Sequence, residues 1–180
     1  MTIKDVTNKL KSQVGYHEKK SNKGLYTDTN NGSNNYTKYA DLIKKTNLLN
    51  GNKQACAWCA VFLIANFYDM LGEDLTHKVL KLPKSSAGAG VAFLYSYMYT
   101  GVKVSPKEGD FIFFKATGAN KPNHVGYVYK VDSKKVYTIE GNSGNAVKKH
   151  SYLLNSKKIY GYTRPCYDLI KNITMKEGKL

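Results

Sequence analysis

The sequence is poor in arginine and cysteine, and it contains no long apolar run. Only Arg164 among the 28 basic residues is an arginine. Forked contacts to guanine bases and phosphates favour arginine, so its scarcity argues against specific recognition of nucleic acid. Three cysteines are an odd number and too few for a disulfide framework, so at least one thiol should be free.

The apolar segments are too short to cross a membrane. The longest, near Ala55 to Phe67, is interrupted by Asn66 and falls short of the roughly 20 residues that a span needs. The start, MTIKDVTNKLKSQVG, is polar and amphipathic and lacks the apolar centre of a secretory leader. We therefore expect no membrane insertion, and synthesis in the cytoplasm without a signal peptide.

Acidic residues are outnumbered, with 13 against 28 basic residues, which gives a net charge of +15. Such an excess predicts an anionic partner: nucleic acid, a membrane surface or an acidic polymer. The lysines are spread from Lys4 to Lys179, as expected for diffuse attraction, but an AT-rich genome would also enrich lysine. Charge alone therefore does not identify the partner.

The hydrophobic pattern changes along the chain from a helical period to a strand period. Helices are predicted over residues 3–14, 39–48, 57–71 and 89–99, and a long Asn- and Gly-rich loop over 16–39. Strands are predicted over 109–115, 124–131 and 135–142, with weaker candidates over 147–154 and 159–165. Helices followed by consecutive strands predict an α+β fold with an antiparallel sheet. We expect a single domain over 1–167 and a C-terminal tail over 168–180.

Cys59 lies where the third predicted helix begins. Free backbone N–H groups and the positive end of the helix dipole favour a thiolate there, which is the attacking form in acyl transfer. The alternative is that Cys59 is one more small apolar residue of a core. Cys56 completes a C-x-x-C motif, which a redox site or half of a zinc site would also have, but a buried small residue is the simpler interpretation.

A histidine and a carboxylate occur where a partner for the thiol is needed. His124 opens one predicted strand, and Glu140 ends the next, with Asn142 two residues further. If these strands pair, the two side chains lie at the same end of the sheet. A carboxylate or carboxamide bonded to one ring nitrogen fixes the tautomer and leaves the other nitrogen for the thiol. Alternatively, His124 is a surface residue and Glu140 a solvated hairpin end.

Four blocks of the sequence resemble one known family. WCAVF at Trp58, GDFIFF at Gly109, NHVGYVYKV at Asn123 and YTIEGNSG at Tyr137 are similar, in order, to signatures of the CHAP superfamily. These proteins are cysteine- and histidine-dependent amidohydrolases and peptidases of bacterial and phage cell-wall lysis. YHEKKSN and NNYTKYADL further resemble the N-terminal part of phage endolysin versions. The resemblance implies a papain-like fold, with N-terminal helices packed on an antiparallel sheet.

The resemblance also implies roles for individual residues. Cys59 is then the nucleophile, His124 the general base and acid, and Glu140 the residue that orients the imidazole, with Asn142 as a supporting polar residue. Gln54 is a candidate oxyanion donor, as an upstream glutamine is in papain-like folds. Trp58 either lines a substrate groove or braces the helix, and Asp110 is expected to be structural.

The implied function is hydrolysis of an amide bond in peptidoglycan, by an N-acetylmuramoyl-L-alanine amidase or an endopeptidase of the stem or cross-bridge. No cofactor is implied, although some relatives bind calcium through an Asp-rich loop, where this chain has only Asp28. The expected partners are peptidoglycan and anionic wall polymers, and not nucleic acid. We expect a monomer, made in the host cytoplasm of a bacteriophage and acting at the bacterial cell wall. The alternative is a non-catalytic basic module that binds cell wall or nucleic acid.

Overall fold

The computed structural model describes residues 1–51, 53–84 and 90–171. Its helical elements come first along the chain and its strands follow, as the change of period predicts. The helices are α1 (Ile3–Ser12), α2 (Lys38–Leu42), α3 (Cys59–Leu71), α4 (Glu73–Val79) and α5 (Val91–Met98). The strands are β1 (Phe111–Phe114), β2 (His124–Val131), β3 (Lys135–Glu140), β4 (Lys148–Leu153) and β5 (Ile159–Thr163).

The five strands form one antiparallel sheet in the order β4-β3-β2-β1-β5. Residues 115–123 connect β1 to β2, a tight hairpin over 132–134 connects β2 to β3, and β5 returns to pair with β1 at the far edge. The predicted α+β class, with helices packed on an antiparallel sheet, is therefore confirmed.

Helix α3 lies at the centre of the core. Eleven of its thirteen residues are buried, because the run from Cys59 to Leu71 is apolar on every side of the helix. It packs against β2 on one side and against α2 and α4 on the others. A smaller apolar cluster on the opposite face of the sheet contains Ile112, Phe114, Val128 and Val136. The sheet thus separates a large core from a small one.

The caps of the helices explain where they begin and end. Thr2 forms a capping box with Asp5 at the start of α1, as its position before the first apolar residue predicts. Gly72 ends α3 with a φ of 77°, in the left-handed region that favours glycine. The prediction for the second helix was too long, because α2 ends at Leu42. The α4 helix was not predicted, and Ala89 of the fourth predicted helix lies outside the described residues.

Asp110 supports the base of the sheet. Its carboxylate is fully buried and accepts two hydrogen bonds from Arg164, at 2.7 and 2.9 Å, and one from the backbone of Lys107 at 2.8 Å. The single arginine of the chain thus closes β5 onto the start of β1, which supports the structural role expected for Asp110.

The chain remains packed beyond residue 167. A short 3-10 helix, Tyr167–Ile170, buries both of its terminal residues against the main core. The rest of the predicted tail, 172–180, lies outside the described residues. No helix among the described residues is long and apolar enough to cross a membrane.

Candidate active site

Cys59 is the first residue of α3 and is only 3% exposed. The preceding residue, Trp58, provides no side-chain cap, and the first turn carries no acidic residue. The free N–H groups of this turn are therefore available to a negative charge at the sulfur or at an atom bonded to it.

Trp58 is completely buried directly before the cysteine. Its indole stacks on Tyr39, with the ring centroids 5.7 Å apart, and its Nε1–H donates to Glu18 Oε2 at 2.7 Å. These contacts support the interpretation of Trp58 as a brace for the start of α3. A substrate-binding role for Trp58 remains a prediction.

Glu18 connects the two halves of the site and was not among the site residues predicted from the sequence. Its carboxylate is fully buried, and its second oxygen accepts a hydrogen bond from the backbone N–H of Asn35 at 2.9 Å. Its own backbone N–H donates to the carbonyl of Asn145, in the turn that follows β3. Glu18 therefore contacts both the residue before Cys59 and the turn after Glu140. The available signal was an acidic residue within YHEKKSN and a lone tryptophan that needs an acceptor.

His124 and Glu140 meet at one end of the sheet. His124 is the first residue of β2, Glu140 is the last of β3, and His124 Nε2 lies 2.8 Å from Glu140 Oε2. The other carboxylate oxygen, Oε1, accepts a hydrogen bond from the hydroxyl of Thr138. A Cβ at Gly126 would lie 2.6 Å from Glu140 Cγ, so the carboxylate occupies space that only glycine leaves.

The imidazole also interacts with the side chain of Cys59, which acts to raise the pKa of His124. Since Nε2 is engaged by Glu140, the nitrogen left for the sulfur is Nδ1. Cysteine, histidine and carboxylate thus form a continuous chain of contacts between the start of α3 and the end of the sheet. This arrangement is the nucleophile, base and orienting group of acyl-transfer chemistry.

The electrostatics of the site favour a charged imidazole. Burial disfavours protonation of His124, but the interactions with Cys59 and Glu140 outweigh it and raise its pKa to about 10. Burial also acts to raise the pKa of Glu140, yet the hydrogen bonds from His124 and Thr138 outweigh it, so that this pKa is lowered. The site therefore stabilises a charged imidazole beside the Glu140 carboxylate.

Gln54 and Asn142, the other predicted site residues, have different surroundings. The Gln54 amide accepts a hydrogen bond from the backbone N–H of Thr37 at 2.8 Å and donates to its carbonyl at 2.9 Å. These bonds attach the segment before Trp58 to the cap of α2. Asn142 is partly exposed, with a left-handed φ of 57°, and Nε2 of His124 is held by Glu140 instead. Oxyanion and supporting roles for these two residues remain predictions.

The loop before α2 is organised around an internal ammonium group. Lys19 is 1% exposed, and its Nζ donates to the Thr27 carbonyl at 2.7 Å and to Asn31 Oδ1 at 2.5 Å. Two oxygens that a cation in this loop would compete for thus already bind a positive charge. The residues present therefore do not fit a calcium ion here. The described residues contain no cluster of three or more His, Cys, Asp or Glu suited to a metal.

The remaining cysteines lie away from this chain of contacts. Cys56, Cys59 and Cys166 form no disulfide in the described part of the chain, as the odd number requires for at least one of them. Cys56 is partly buried, its thiol hydrogen-bonds to the Lys53 carbonyl at 3.4 Å, and burial raises its pKa. A raised pKa suppresses the thiolate, so Cys56 is poorly suited to act as a nucleophile.

Comparisons with known proteins bear on the family and the fold. The family model described as CHAP domain matches residues 48–142, just over half of the 180 residues. Among solved structures, the chain is similar to "The crystal structure of Ly7917", with 15% identity and a TM-score of 0.54. The match covers 92% of this chain and 62% of that one, and at this identity it shows the fold alone. No curated protein sequence matches the chain significantly.

Proposed function

The chain belongs to the CHAP domain family, and we propose that it is a cysteine-dependent peptidoglycan amidase or endopeptidase of the phage endolysin type. Members of this family are generally cysteine- and histidine-dependent hydrolases, and the family implies peptidoglycan as substrate and the cell wall as the place of action. We propose in addition the reaction, the class of bond that is cut and the roles of individual residues.

The observation that carries the proposal is the contact chain from Cys59 through His124 to Glu140. The Cys59 thiolate attacks the carbonyl carbon of an amide, and the backbone N–H of Cys59 stabilises the oxyanion that forms. His124 then gives its proton to the leaving amine, and a thioester remains on the enzyme. The neutral imidazole next takes a proton from water, which attacks the thioester and releases the acid and the free thiolate.

The substrate and setting follow from the family and the charge. An amide between muramic acid and L-alanine and an amide within the stem or cross-bridge both suit this chemistry. The net charge of +15 favours retention on a wall that carries anionic polymers. We propose that the enzyme acts as a monomer, is made in the host cytoplasm, and reaches the wall during lysis.

Digestion of purified peptidoglycan tests this function. The proposal predicts new amino groups and no new reducing sugar ends, because amides and not glycosidic bonds are cut. Mass spectrometry of the soluble fragments then distinguishes release of intact stems, which an amidase gives, from cleavage within stems or cross-bridges. Wall binding without any new amino groups would support the alternative of a non-catalytic basic module and would refute the hydrolase.

A further inference from the structure

Several lysines lie at the end of the sheet that bears His124 and Glu140. Lys148 pairs directly with Glu140 across β3 and β4, and Lys115 follows Phe114, the residue that pairs with His124. Lys158 precedes Ile159, which pairs with Phe114 from the other side, and Lys121 lies in the connection between β1 and β2. Antiparallel pairing thus brings lysines from several connections to one edge of the sheet.

Acidic residues are separated from these lysines along the strands. Between Gly109 and Cys166 the acidic residues are Asp110, Asp132 and Glu140. Asp110 and Asp132 lie at the opposite end of the sheet, before β1 and in the β2–β3 hairpin. Glu140 is 2% exposed and hydrogen-bonded to His124. The strands and their connections therefore add no exposed acidic residue at the His124 end of the sheet.

A groove of about 440 Å³ opens within this lysine-rich end. Its walls are the segment after β1 and the segment before β5, and the backbone N–H of Lys115 connects them by donating to the Lys158 carbonyl at 2.9 Å. The lining residues are Lys115, Thr117, Gly118, Lys157, Lys158 and Ile159. None of these three lysines forms an ion pair with an acid of the described residues. Lys157 and Lys158 are exposed, and Lys115 is partly exposed.

We propose that this groove binds the phosphodiester backbone of an anionic wall polymer and holds the neighbouring catalytic site against the wall. The inference rests on the proposed function, since it places the enzyme at a cell wall. Three ammonium groups with no acid among the lining residues match a chain that carries one negative charge per repeating unit. Lysine binds phosphate as a point charge without demanding a fixed orientation, which suits a flexible polymer.

Matched lysine variants test the groove, with binding measured in a Cys59→Ala background so that the wall is not digested. One variant carries Lys115→Gln, Lys157→Gln and Lys158→Gln. The control carries Lys130→Gln, Lys134→Gln and Lys135→Gln at the opposite end of the sheet, and so loses the same charge. Thermal unfolding of both variants establishes that they are folded. Co-sedimentation is then measured with intact walls and with walls chemically stripped of phosphodiester polymers.

The groove variant should bind intact walls about tenfold more weakly than the control, as expected when three exposed charge contacts are lost. On stripped walls the two variants should bind equally. Equal weakening of both variants on intact walls would show that only total charge matters and would overturn the proposal. A groove-specific loss that persists on stripped walls would assign the groove to peptidoglycan carboxylates and would also overturn it. Because these proteins carry Cys59→Ala, neither outcome bears on whether the wild type hydrolyses amides.

Discussion

Glu18 and Trp58, forty positions apart, form a buried hydrogen bond of 2.7 Å immediately before the candidate nucleophile. The acceptor is a carboxylate with no exposed surface, and its other oxygen is also hydrogen-bonded. Through its backbone, Glu18 also contacts the turn after Glu140. The relative position of Cys59 and the carboxylate end of the sheet thus depends on one residue of the N-terminal loop.

Replacing Glu18 with glutamine should destabilise the fold and misplace Cys59. The amide NH₂ would face the N–H of Asn35 or of Trp58, so a buried donor loses its acceptor at a cost of about 1–3 kcal/mol in the free energy of unfolding. Urea unfolding measures this loss, and the rate of Cys59 alkylation by iodoacetamide measures the state of the thiol. Asp74→Asn, at an exposed site, is the control and should change stability by less than about 0.5 kcal/mol. Equal stability and alkylation in Glu18→Gln and wild type would refute the positioning role.

Gly126→Ala should displace the carboxylate of Glu140. The new Cβ would lie 2.6 Å from Glu140 Cγ, within a buried region that cannot expand freely. Overpacking of this kind costs about 1–3 kcal/mol of stability, and we expect activity to fall further, because the imidazole loses its orienting partner. Gly90→Ala is the matched control, since its Cβ would meet its nearest neighbour at an ordinary 3.6 Å. If hydrolysis by Gly126→Ala equalled that of the control, the geometry assigned to Glu140 would be wrong.

The pH dependence of hydrolysis should have an alkaline limb near pH 10. The pKa of His124 is raised to about 10, so the imidazolium that donates to the leaving amine persists through neutral pH and is lost above this value. Glu140→Gln removes a negative charge beside the ring, so the limb should move to lower pH. The rate should also fall about 10- to 100-fold with loss of a charged hydrogen bond. Initial rates between pH 6 and pH 11 measure both effects, and a limb unmoved in Glu140→Gln would contradict the pairing.

The same pairing predicts a change of stability with pH. The folded pKa of His124 lies above its ordinary value of 6.5. Its protonation therefore contributes stability that is fully present below about pH 6.5 and is lost as the pH rises through about 10. This decline in the free energy of unfolding should be smaller in Glu140→Gln than in the wild type.

The N-terminal loop should not depend on calcium. Lys19 supplies the positive charge inside it, so neither a chelator nor added calcium should change the melting temperature or the rate of wall hydrolysis. Lys19→Met leaves the Thr27 carbonyl and the Asn31 amide oxygen without this donor and should destabilise the protein by about 1–3 kcal/mol. Loss of activity in the wild type on chelation would show that the loop binds a metal in another conformation.

The main elements of the fold follow from local patterns in the sequence. Strand β2 has the predicted bounds, and β3 begins at the predicted residue, because turn residues and period-2 patterns mark both. Helix α3 ends at Leu71 and is capped by Gly72, as predicted. Helix α4 was missed because it begins directly after that glycine, and its first turn depends on a Thr76 hydroxyl bond to the Gly72 carbonyl. No periodicity signals a seven-residue helix of this kind.

The site was predictable only in part, for a physical reason. His124 begins β2 and Glu140 ends β3, so the antiparallel pairing of these strands is enough to bring both residues to one end of the sheet. The Glu18–Trp58 bond depends on the path of an irregular loop, which no repeating pattern encodes. The same long-range packing decides that Trp58 is buried, and it attaches Gln54 to Thr37. Roles that depend on loop placement therefore required the structure.

Replacing the sulfur at position 59 is the most direct test of the proposed mechanism. Purified walls are digested with wild type, Cys59→Ser and Cys56→Ser, each shown to be folded by its melting temperature, and new amino groups are counted. The proposed mechanism predicts that Cys59→Ser releases essentially no amino groups, because a serine hydroxyl beside this imidazole is a far weaker nucleophile than a thiolate. Cys56→Ser should release as many amino groups as the wild type. Wild-type release by Cys59→Ser would contradict the proposed mechanism at its first step.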